Sequence, residues 1–99
     1  MQGPSPASKL LAQVQVQAGE TDRAISVLEA YLRLRPGDGQ AQMQLATAYM
    51  ALGRNAQAVS LMQEALRTQD DPGLRAMLGQ GLLGSGNRAM GVAELEAAL

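Results

Sequence analysis

Residues 45–66 read LATAYMALGRNAQAVSLMQEAL. Leu45, Ala48, Tyr49 and Leu52 fall on one helical face, with Ala41 one turn earlier. Gly53 interrupts that pattern. Ala58, Val59, Met62, Ala65 and Leu66 then build a second apolar face, and Asn55 is positioned to cap the helix that carries it. The stretch predicts a helix, a glycine turn and a second helix. One such hairpin cannot bury its apolar stripe alone, so the flanking sequence must supply neighbours.

It does so by repetition. Gly19, Ala24 and Leu28 stand 34 residues before Gly53, Ala58 and Met62, and Gly86, Gly91 and Leu95 stand 33 residues after them. Leu11-Ala12, Leu45-Ala46 and Leu78-Gly79 keep the same step, as do Gln15, Tyr49 and Leu82. Three units result, 5–38, 39–71 and 72–99, after a flexible start at 1–4. In the first unit Leu11, Val14 and Ala18 share a face before Gly19. Ala24, Ile25, Leu28, Tyr31 and Leu32 form the next face, with Thr21 as its cap and Pro36-Gly37 as its end. Asp38 caps the second unit. Ser5-Pro6 and Asp71-Pro72 each place a cap residue before a proline whose missing N–H costs nothing at the first helical position. Nothing alternates with period two. The expectation is an all-α chain of six antiparallel helices, each about 11 to 14 residues long, in three helix-turn-helix repeats.

The small residues predict how the helices meet. Ala12, Ala46 and Gly79 recur on the first helices, and Ala24, Ala58 and Gly91 on the second. Short side chains at both places let paired helices approach to about 8 Å.

The composition excludes much chemistry. The 99 residues contain no His, Cys, Trp or Phe, which removes a Cys/His zinc site, a thiol nucleophile, a disulfide framework and any His-dependent triad. A net charge of −1 gives no long-range pull on nucleic acid or anionic lipid. Charged residues at 17% and hydrophobic ones at 46% fit a folded domain. No run reaches the roughly 18 apolar residues of a membrane span. Asp70-Asp71 reads as a turn and cap pair, Arg33 and Arg35 as a favourable charge at a helix end. Gly79, Gly81, Gly84 and Gly86 lack the Gly-Lys-Ser/Thr of a phosphate loop. Neither catalysis nor a cofactor is expected.

The matched columns closely resemble the tetratricopeptide repeat. The middle unit carries the resemblance at Leu45, Ala46, Tyr49, Gly53, Ala58, Met62 and Ala65. The first does so at Leu11, Ala12, Gly19, Ala24, Leu28 and Pro36, the third at Leu78, Gly79, Leu82, Gly86, Gly91, Leu95 and Ala98. The departures are Ser8, Gln42 and Arg75 where an aromatic is usual, Gln15 where an apolar residue is usual, Tyr31 for a small residue, and a proline displaced to Pro72. The resemblance implies an α-α superhelix, a solenoid whose concave face is lined by the first helices, and a non-catalytic scaffold that binds a peptide or partner protein.

In that register the concave lining is Lys9, Gln13, Val16, Gln17, Gln40, Met43, Gln44, Thr47, Met50, Ala51, Met77 and Gln80, with Leu83 and several small residues. Lys9 is its one formal charge. Amides suit a peptide backbone and methionines suit irregular apolar side chains. The alternative for Met50, Met77 and Leu83 is packing between helices. A family subclass resembles a receptor for C-terminal carboxylates, but here Gln13 and Gln44 replace its Asn residues and Gly73 and Met77 its basic ones, so that ligand is not expected.

The start MQGPSP and the stop at Leu99 are read as cuts in a longer protein, and the last repeat as truncated at the end of its second helix. Val92, Leu95 and Leu99 would then form an open end and a route to homo-oligomers. Arginine outnumbers lysine seven to one, in the style of a GC-rich bacterial gene. The repeats look similar to those of bacterial envelope proteins for exopolysaccharide synthesis and export, pilus assembly or protein sorting, which favours the periplasm over the cytoplasm. Two other roles fit the same residues: a purely structural spacer, and a regulatory module fused to or recruiting an exopolysaccharide-processing enzyme.

Overall fold

A glycine at positive φ closes each hairpin. Gly19, Gly53 and Gly86 have φ of 81°, 75° and 87°, the left-handed region in which a Cβ is penalised. Around each, the chain makes the same pair of bonds. Gly53 N–H donates to Met50 O at 3.0 Å and Arg54 N–H to Tyr49 O at 2.8 Å, and the pattern recurs at Gly19-Glu20 and Gly86-Asn87. This Schellman arrangement satisfies carbonyls that the ending helix leaves open.

The computed structural model describes residues 7–99. The expected start at 1–4 and the Ser5-Pro6 opening lie outside the described residues. The elements are α1 (Ala7–Gln17), α2 (Thr21–Leu34), α3 (Gly39–Ala51), α4 (Asn55–Leu66), α5 (Pro72–Gly84) and α6 (Arg88–Ala97). Each helix packs on the next, and α1 also touches α3 as α3 touches α5. The first helices therefore line one side of a slab 46 × 28 × 18 Å in extent. This is an all-α solenoid of stacked helix-turn-helix repeats.

Two expected caps move by one residue. Thr21 and Asn55 are the first helical residues, and the N-cap positions are Glu20 and Arg54, neither of which makes a capping bond through its side chain. The reason is the turn: the residue after each glycine closes the Schellman bond and opens the next helix, so the cap position is fixed immediately after the glycine. Asp38 and Asp71 cap as expected, accepting from Ala41 N–H at 3.1 Å and Gly73 N–H at 2.8 Å.

The small-residue columns are the helix crossings. Ala12, Ala24, Ala46 and Ala58 are buried to within 1% exposure. In the third repeat both crossing residues are glycine, and the backbones meet. A Cβ on Gly79 would lie 2.9 Å from Gly91 O, and one on Gly91 would lie 2.9 Å from Gly79 O. Between these crossings Leu28, Tyr31, Met62 and Leu74 fill the core. Leu45 and Tyr49 are buried as the columns require.

The expected inner face of α1 is largely outward. Leu11 and Val14 are 48% and 53% exposed, whereas their counterparts in α3, Leu45 and Ala48, are 4% and 1% exposed. In α3 that face packs on α2. Among the described residues no helix precedes α1, so only Ala12 is buried there. Gln42, in an aromatic column, is buried and fully paired: its amide nitrogen donates to Pro36 O and its oxygen accepts from Gln69 Nε2, both at 2.7 Å. It ties the turn before α3 to the turn after α4.

A polar staple holds the first two repeats together. Asp38 accepts from Tyr31 Oη at 2.6 Å, from Lys9 Nζ at 2.9 Å and from the Ala41 N–H, so one carboxylate joins α1, α2 and α3. The Tyr31 hydroxyl bond, with Lys9 and the Ala41 N–H, holds the Asp38 carboxyl down at about 2 although burial pushes it up. The folded value lies below the unfolded one, about 3.9. Stability from this group is therefore complete above about pH 4 and is lost as pH falls through about 2, an effect on the order of 2 kcal/mol. Asp38→Ala should cost about 2 kcal/mol at pH 7, by removing a helix cap and stranding a buried hydroxyl. Urea titrations of both proteins from neutral pH to about pH 2 should show that gap narrowing. A gap independent of pH would show that Asp38 carries no such load.

Candidate binding groove

On the concave side an open cavity of about 510 Å³ lies between α1 and α3, over α2. The spacing of its residues makes it. Ala12, Gln13, Val16 and Gln17 occupy one face of α1, and Gln40, Met43, Gln44, Thr47, Ala48 and Ala51 one face of α3. Leu28 of α2 closes the bottom. Short side chains at Ala12, Ala48 and Ala51 keep the space empty. The result is an apolar floor with an amide rim.

The rim carries no free cation from Lys9. Its ammonium reaches Asp38 at 2.9 Å and Gln40 Oε1 at 3.1 Å, and the bond to Asp38 raises its pKa. It stands beside the cavity and outside its lining. Gln44 donates from Nε2 to Lys9 O at 3.1 Å, while its Oε1 is screened from solvent and has no partner. Thr47 spends its hydroxyl proton on Met43 O at 2.9 Å.

Of the residues expected in the groove, Gln13, Val16, Gln17, Gln40, Met43, Gln44, Thr47 and Ala51 line this cavity. Met50, Met77 and Gln80 do not. Met50 Sδ lies 3.7 Å from where a Cβ on Gly81 would sit, and Met43 Cε 3.6 Å from the equivalent point on Gly73. Met77 packs against the core, and Gln80 is exposed. Methionines thus occupy the space between α3 and α5 that remains open between α1 and α3. Sequence reasoning passed over Ala12, Leu28 and Ala48 as lining. The signal was available in part: Ala12 belongs to a small-residue column, and a small residue beside a groove deepens it.

At the other end, Val92 is 40% and Leu99 106% exposed. Leu95 is half-buried, and its Cγ lies 2.7 Å from where a Cβ on Gly79 would sit, so it fills the last crossing. Asp71 is a cap, and Asp70 stands 3.6 Å from Arg75, which also meets Glu94 at 3.3 Å. Among the described residues no group of three or more His, Cys, Asp or Glu is placed to hold a metal ion. No helix among them is long and apolar enough to cross a membrane. Amides, a methionine and a committed hydroxyl neither attack nor transfer protons at neutral pH; what this lining can do is bind.

Comparison with known proteins agrees with that geometry. The globular C-terminal domain of P. aeruginosa LpoP superposes with a TM-score of 0.84 at 27% identity, over 99% of this chain and 97% of that one. YrrB, a TPR protein with an unusual peptide-binding site, gives 0.80 at 20% identity over 94% of this chain, a likeness of fold. TTC0263, a thermophilic TPR protein of Thermus thermophilus, gives 0.73 at 26% identity, also over 94%. The chain spans 48% and 50% of the lengths of those last two. No curated protein matches it in sequence. The tetratricopeptide repeat profile matches residues 15–81, from within the first hairpin to the fifth helix. With three glycine-closed hairpins stacked through matched small residues, this chain belongs to the tetratricopeptide repeat family.

Proposed function

We propose that this chain is a non-catalytic scaffold segment of a larger bacterial protein, and that it binds a partner protein through the concave cavity between α1 and α3. The observation that carries the reading is the cavity itself: about 510 Å³ of open, apolar-floored space on the face where the amides gather. YrrB, of the same fold, is a TPR protein with a peptide-binding site, which supports the reading by analogy.

Site-specific photo-crosslinking in cells tests it. A crosslinker at Thr47, on the rim, should trap a partner, and one at Ser60, on the outer surface of α4, should not. Met43→Glu places a charge over the apolar floor. It should weaken binding of the trapped partner by about tenfold or more. Its melting temperature should stay within about 3 °C of the parent's, because Met43 is only partly buried. Adducts from Ser60 alone would move the interface to the convex side. No adduct from any concave position would leave the chain as a spacer between other segments.

A further inference from the structure

The cavity's chemistry specifies its occupant more narrowly, provided that the cavity is the partner site just proposed. We infer that the cavity between α1 and α3 accepts an extended, uncharged internal segment of a partner, anchored by one aliphatic side chain on the alanine floor. Three observations lead there.

The first is charge. Lys9 is the ammonium nearest the rim, and it is already satisfied by Asp38 at 2.9 Å and Gln40 Oε1 at 3.1 Å. A chain-terminal carboxylate in the cavity would find no cation released to meet it, and recruiting Lys9 would break the Asp38 staple. A charged side chain lowered onto Ala12, Leu28 and Ala48 would lose its water with no counter-charge in return. The site therefore selects against termini and against charged anchors.

The second is the rim. Gln13 and Gln17 each present both a donor and an acceptor, while Gln40, whose Oε1 already accepts from Lys9 Nζ, offers its amide N–H groups, and Gln44, whose Nε2 already donates to Lys9 O, offers its Oε1. An extended backbone offers unpaired N–H and C=O groups of both kinds, whereas a helix consumes its own. Gln44 adds a directed need: its Oε1 is an acceptor out of water's reach and without a partner. Gln44 lines the cavity, and its terminal torsion is soft, so turning that oxygen toward a strand N–H exchanges the bond to Lys9 O for one to the partner.

The third is where the space stops. Met43 and Met50 occupy the corresponding region between α3 and α5. The apolar pocket is thus confined to the junction of the first two repeats. It holds one anchor rather than a run of them, and the strand on either side lies over amides.

Selection from a phage-displayed random dodecamer library, against the full chain, tests this. In such a library the peptide has no free C-terminal carboxylate. Ala51→Phe fills the cavity from an exposed lining position, so it blocks the pocket without entering the core. Peptides enriched on the parent and lost on Ala51→Phe should share one Leu, Ile, Val or Met within uncharged neighbours. As amidated synthetic peptides they should bind with less than about a twofold change in Kd between low and high salt. Replacing the anchor with Asp should weaken them by about tenfold or more. Cavity-dependent peptides dominated by acidic or basic residues, or binding that collapses with salt, would overturn this inference and leave the scaffold reading standing. Enrichment insensitive to both Ala51→Phe and Met43→Glu, or no enrichment at all, would overturn both.

Discussion

Ala58→Trp is expected to destabilise the protein by about 4 kcal/mol, or to prevent folding altogether. Ala58 is fully buried, on the α4 side of the crossing with α3. The residue that takes its place in the other hairpins is Ala24 or Gly91, so no repeat carries a side chain longer than a methyl group there. Leu45, Tyr49 and Met62 already fill the neighbouring core, and an indole is far larger than the methyl group this close-packed site holds. The helices would have to separate, and the separation would be passed to α2 and α5, which pack on this pair. Ala56→Trp, on the exposed face of α4, is the control and should change stability by less than about 0.5 kcal/mol. Urea unfolding followed by circular dichroism measures both. Equal effects would remove the close crossing as the basis of the stack.

The second large effect is expected at the tightest crossing. Gly91→Val should cost about 3 kcal/mol or more. A Cβ at Gly91 would fall 2.8 Å from Leu83 Cγ and 2.9 Å from Gly79 O. The leucine can rotate, but the carbonyl belongs to the backbone of α5 and moves only with its helix. A branched side chain worsens both contacts. Gly37→Ala is the comparison, since nothing lies within 4 Å of a Cβ there. If the two substitutions prove equally mild, α5 and α6 are not in backbone contact and the glycine column has another cause.

Most of the fold was legible because its determinants are local or strictly periodic. Gly19, Gly53 and Gly86 mark turns through a conformation that only glycine adopts freely, and the small residues mark crossings by recurring at one spacing. The groove was legible only in outline. That Lys9 would be neutralised by Asp38, 29 residues away, depends on how α1 leans on the next repeat. No spacing rule shows it. The methionines were ambiguous for a related reason: an unbranched side chain on a concave helix either lines the space or fills it, and the glycines at 73 and 81 opposite decide which. Gln42 departs from an aromatic column, and its sequence position alone offers no partner. In the structure its amide replaces ring packing with two hydrogen bonds, one to Pro36 in the turn before its own helix and one to Gln69, 27 residues on.

Whether the opening between α1 and α3 receives a partner segment decides between a scaffold and a spacer. Carbon-13 methyl labelling of methionine gives the most direct measurement, because Met43 lines that opening and Met90 lies exposed on α6. On titration with the tightest cavity-selected dodecamer, the Met43 methyl resonance should shift progressively and saturate while that of Met90 stays in place. A saturable shift of Met90 with Met43 unmoved would contradict it.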